Sequence, residues 1–85
     1  MNKERREALM DVADTIEEAI DQIQDVIDDE QDAIDRLPES LQESERGAVM
    51  YEAIGDMEGL IDKLNVFLGE LEATVARYSP KKKSK

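Results

Sequence analysis

Between Asp11 and Pro38 the chain repeats one seven-residue pattern four times: DVADTIE, EAIDQIQ, DVIDDEQ, DAIDRLP. The third residues of these units are Ala13, Ile20, Ile27 and Ile34, and the sixth are Ile16, Ile23, Glu30 and Leu37. Gaps of alternately three and four residues bring such positions onto one stripe of an α-helix, as the a and d positions of a heptad. The second residues (Val12, Ala19, Val26, Ala33) add a third apolar row and widen the stripe to the face of a bundle helix. Each unit also opens on an acid (Asp11, Glu18, Asp25, Asp32) and carries Asp at its fourth place (Asp14, Asp21, Asp28, Asp35). The pattern predicts a helix that is apolar on one side and anionic on the other.

Pro38 ends that helix, because the residue before a proline is pushed out of α geometry. A second heptad starts at Arg46. Its a positions are Gly47, Ile54, Ile61, Leu68 and Val75, and its d positions are Met50, Met57, Leu64, Leu71 and Tyr78. Ala53, Leu60 and Phe67 form its third row. The expected elements are a first helix of about 3–36, a connection of 37–44 and a second helix of about 45–78, with 79–85 as a disordered basic tail. In the connection, Ser40 with Glu43 fits a capping box and Ser44 is a second candidate cap. A short turn at 38–42 would tuck Leu41 inward.

Equal amphipathic helices with a short connection imply an all-α fold, an antiparallel two-helix hairpin resembling a coiled coil. Residues 1–78 then form one domain. Folding at the connection pairs Ile34 with Gly47, Ile27 with Ile54, Ile20 with Ile61 and Ala13 with Leu68. It also sets Glu30, the one acid in a d position, against Met50 and Tyr51, whose hydroxyl is its obvious donor. One hairpin covers only part of each apolar stripe. Pairing of two hairpins into a homodimeric four-helix bundle would close the rest.

Charge sharpens this picture. The chain carries 22 acids against 11 bases, a net charge of −11, and between Glu7 and Asp35 no Lys or Arg interrupts twelve acids. Like charges one turn apart repel and Asp is a mediocre helix former, so the first helix depends on a packing partner for its stability. The basic run KERR at residues 3–6 opposes the helix dipole at its N-terminus. The same net charge argues against direct contact with nucleic acid or an anionic membrane surface. No apolar leader and no membrane-length apolar run is visible, so a cytoplasmic setting is expected.

Chemistry is harder to build from these residues. The chain has no His and no Cys, hence no ordinary base near neutral pH, no Ser–His or Cys–His pair, and no imidazole or thiolate metal ligand. Asp28, Asp29, Glu30 and Asp32 lack the glycine and terminal glutamate of a calcium loop. The glycines lie inside a helix and form no phosphate loop. The expectation is a protein that is not an enzyme and takes no metal or cofactor.

Two features invite a binding role. The far side of the second helix carries Gly55, Gly59, Val66, Gly69 and Ala73, flanked by Ala48 and Ala76. A helical glycine costs about 1 kcal/mol relative to alanine, and a line of small residues lets another backbone approach closely. These residues are the candidate self-association seam. The acidic face of Asp14, Asp21, Asp25, Asp28, Asp32 and Asp35 is the candidate surface for another partner. Counting all twelve acids from Glu7 to Asp35, a carboxylate recurs about every 3.5 Å along the helix, close to the roughly 3.4 Å phosphate spacing of one DNA strand. The leading expectation is therefore a self-associating protein–protein interaction module. The alternative is an acidic mimic of nucleic acid that inhibits a basic DNA- or RNA-binding host or defence protein.

The connection LPESLQESERG (residues 37–47) and the helical AVMYEAIGDMEGLID after it resemble a group of short acidic helical-hairpin proteins from low-GC Gram-positive bacteria and their phages and mobile elements. The resemblance spans about residues 20–65. It implies a bacterial or phage cytoplasmic setting and carries over no activity and no functional residue.

Overall fold

The computed structural model describes residues 1–80, and the lysines of the expected tail from Lys81 onward lie outside them. The described residues form three helices and no strand: α1 (Lys3–Asp35), α2 (Glu39–Gln42) and α3 (Glu45–Arg77). The long helices have 33 residues each, which is about 50 Å at 1.5 Å per residue. They touch one another inside a body of 68 × 20 × 15 Å. With so short a link between them, they can only run side by side in opposite directions.

The ends of α1 follow local chemistry. Asn2 is extended, and its side-chain oxygen accepts the Arg5 backbone N–H at 2.8 Å. That bond satisfies one of the donors a helix start leaves open, so the basic KERR run begins a properly capped helix. Arg6 turns back to donate to the Met1 carbonyl at 2.8 Å. At the far end the Leu37 N–H bonds to the Ile34 carbonyl at 2.9 Å, and Pro38 follows.

The connection differs from expectation in three places. Pro38 itself starts the one-turn α2, with its carbonyl accepting from both Leu41 and Gln42 (2.9 and 3.0 Å). Ser40 therefore sits inside a helical turn, and the Ser40–Glu43 capping box does not form. Leu41 is 39% exposed and points outward, because a single turn tight against Pro38 leaves its side chain on the solvent side. Ser44 does hold the N-cap position of α3, but makes no side-chain cap bond; its hydroxyl donates to the Leu41 carbonyl instead. The turn is braced by Gln42, whose Nε2 donates to the Leu37 carbonyl at 2.9 Å. Gly47 is buried directly beneath it, where only a residue without a side chain fits.

Packing follows the heptads. Ile27, Ile34 and Ile54 form the buried cluster, with Ile23, Met50, Met57 and Ile61 against it. Ala13 and Leu71 are buried further toward the open end. From Ala13 to Leu37 and from Gly47 to Val75, every a and d position is buried or half-buried. Tyr78 is the exception, exposed at the end of the rod with the Arg77 guanidinium 5.9 Å from its ring centre. Glu30 is half-buried, yet no hydrogen bond joins it to Tyr51, which stands half in solvent. Ser79, placed by the sequence in the tail, is tied back through its hydroxyl to the Val75 carbonyl at 2.7 Å.

Candidate interaction surfaces

The acidic face is fully presented to solvent. Asp14, Asp21, Asp25, Asp28, Asp32 and Asp35 are all exposed, as are Asp11 and Glu18, which complete the stripe. These eight acids recur at alternating gaps of three and four, so they climb α1 as a continuous ribbon. Two are held by neighbours: Gln24 donates to Asp28 at 3.1 Å and Gln31 to Asp35 at 3.0 Å. Among the described residues the one ion pair is Lys3–Glu7 at 4.0 Å, outside the ribbon. Among the described residues, therefore, no basic side chain pairs with the ribbon. Its carboxylates also diverge: among the described residues no group of three acids could hold a metal ion.

The small-residue seam is open as well. Gly55, Val66, Gly69 and Ala73 are exposed and Gly59 is half-buried. A Cβ placed on Gly55, Gly59 or Gly69 would meet nothing within 4 Å. Among the described residues, then, these glycines serve no close approach. The glycine that does is Gly47, which the sequence pattern had placed simply in a core row.

A third surface emerges from the third apolar rows. Their smaller members (Ala19, Ala33, Ala53) are half-buried, while Val12, Val26, Leu60 and Phe67 are 42%, 52%, 48% and 48% exposed. At the open end of the rod a shallow groove of about 340 Å³ is lined by Met1, Arg5, Ala8, Leu9 and Val12. The rows were visible in the sequence, which also led to the expectation that one hairpin leaves them partly open.

Compared with family models, with curated proteins and with solved structures, the chain matches none. No helix among the described residues is long and apolar enough to cross a membrane.

Proposed function

We propose that this chain is a non-catalytic protein–protein interaction module, an acidic helical hairpin that associates with a second copy into a four-helix bundle. The observation that carries this reading is the apolar surface outside the core, above all Val26, Leu60 and Phe67 standing about half in water. Covering such side chains is worth roughly 1.5–3 kcal/mol for each one fully buried. A second hairpin supplies that cover by setting its own apolar rows against these. Sedimentation equilibrium over a range of protein concentrations should give twice the 9.6 kDa chain mass, and the dimer should persist in high salt because apolar burial is not screened. A monomer at every concentration would remove the proposal.

The acidic ribbon supports a second reading, in which α1 imitates a nucleic-acid strand for a basic host or defence protein. Eight exposed acids with no basic partner among the described residues suit such a role. In this reading the chain displaces DNA or RNA from its target, and affinity falls steeply as salt rises. Lysine at Asp21, Asp25 and Asp28 together should abolish the displacement; competition that survives those changes would exclude the ribbon.

A further inference from the structure

The self-association proposed above leaves open which face meets the second copy and in which direction. We infer that the second copy covers one particular flank of the rod, built by the third apolar rows of both long helices, and that the two hairpins lie antiparallel, loop end against open end.

The flank follows from helix geometry. Around a heptad helix the core rows have one neighbouring row on each side. When two helices pack in opposite directions, reversing one also reverses its sense of rotation, so like rows meet like on each flank. Val12, Ala19, Val26 and Ala33 of α1 therefore lie on the same side of the rod as Ala53, Leu60, Phe67 and Thr74 of α3. None of these eight residues is charged. The opposite flank carries Glu17, Gln24 and Gln31 beside Tyr51, Glu58, Asn65 and Glu72. Apart from Arg5 and Arg46, which begin the two rows, one side of the rod is thus uncharged and largely apolar and the other polar. The alanines of the apolar flank are half-buried and its Val12, Val26, Leu60 and Phe67 stand exposed; on the polar flank Gln31 alone is half-buried.

Size fits a second copy. A flank about 50 Å long and 20 Å wide presents on the order of 1,000 Å², against about 800 Å² per partner in a stable complex. The small-residue seam offers less, since Val66 is its one large apolar side chain and Glu52 and Asp62 interrupt it.

Charge sets the direction. From Asp28 to Glu52, around the loop, nine acids face two arginines. At the open end Lys3, Arg5, Arg6 and Arg77 balance Glu4, Glu7, Glu70 and Glu72. Parallel pairing would stack the two acidic ends about 8–10 Å apart, comparable to the Debye length of about 8 Å at physiological salt. Antiparallel pairing sets each acidic end over the charge-balanced open end of the other copy, which removes that repulsion.

The test uses the absence of cysteine, which makes any introduced one unique. Spin labels on Ser40→Cys, at the loop tip, should lie about 50 Å apart or more in the dimer, one rod length. Labels on Lys63→Cys, near the middle of the rod, should lie within about 30 Å, given helix axes 8–10 Å apart. Close Ser40→Cys labels would overturn the antiparallel arrangement. Leu60→Glu with Phe67→Glu should yield the monomer mass with helical circular dichroism retained, whereas Gly55→Leu with Gly59→Leu should leave the dimer intact. A dimer that tolerates both glutamates, or one split by the leucines, would overturn the flank while leaving self-association standing. A wild-type chain that is monomeric throughout would overturn the underlying reading itself.

Discussion

Gly47→Ala is the substitution that should damage this fold most for its size. A Cβ there would press on the Gln42 carbonyl oxygen and stand 2.6 Å from the Gln42 carbonyl carbon and 2.8 Å from the Leu41 oxygen. Ordinary carbon contacts lie at about 3.5–4.0 Å. The obstructing atoms belong to the backbone and cannot swing away, because the Leu41 carbonyl already accepts from the Ser44 N–H at 3.1 Å and from its hydroxyl. Overpacking of this kind costs about 1–3 kcal/mol. Alanine's helix propensity returns at most about 1 kcal/mol, and less in a first turn. The net loss should be about 1–2 kcal/mol, or roughly 4–8 °C in Tm for each kcal/mol in a domain of this size. Gly55→Ala, Gly59→Ala and Gly69→Ala meet open space and should each raise Tm by about the propensity term alone. Thermal denaturation followed by circular dichroism measures all four, at one protein concentration because association makes Tm concentration-dependent. If Gly47→Ala melted at or above the parent temperature, the account of the connection would be wrong. If the other three lowered Tm, their open strip would have to be covered by something.

Two further outcomes follow from the core and the ribbon. Ile34, fully buried at the loop end, should cost about 2–5 kcal/mol on truncation to alanine, while Val49→Ala, 58% exposed, should stay within about 0.5 kcal/mol; equal losses in urea titrations would displace Ile34 from the centre of the core. The seven successive acid pairs from Asp11 to Asp35 repel by about 0.2–0.5 kcal/mol each at low salt, so raising NaCl from about 10 to 500 mM should increase stability by on the order of 1–3 kcal/mol. A flat salt dependence would mean that the ribbon is neutralised by some other means.

Periodicity carried the sequence reading as far as periodicity reaches. Ile27, Ile54 and Ile61 stand inside because gaps of three and four admit one inward stripe, and Pro38 admits one place for the chain to turn. Details that rest on single hydrogen bonds or single steric contacts were not legible. Asn2 caps α1 through a side-chain oxygen that its neighbours gave no reason to expect. Ser40 looked like a cap because the S-x-x-E spacing was present, but Pro38, already extended, took the role two residues earlier. Gly47 fell in a core row, so its pattern said only that it was inward; the obstacle is a carbonyl of the connection, which no heptad describes. For the candidate surfaces the residues themselves were readable, down to each acid of the ribbon. The composite flank was not, since it exists only once two helices lie in opposite directions and their outer rows are brought to the same side.

The two arms match in length, 33 residues against 33, and this ties their lengths together. Seven residues inserted into one arm lengthen it by about 10.5 Å and leave that much apolar stripe overhanging in water. A longer or shorter version of this rod must gain or lose a whole heptad on both sides of the elbow at once, at facing positions. An insertion confined to one arm is thereby turned into a loss of solubility.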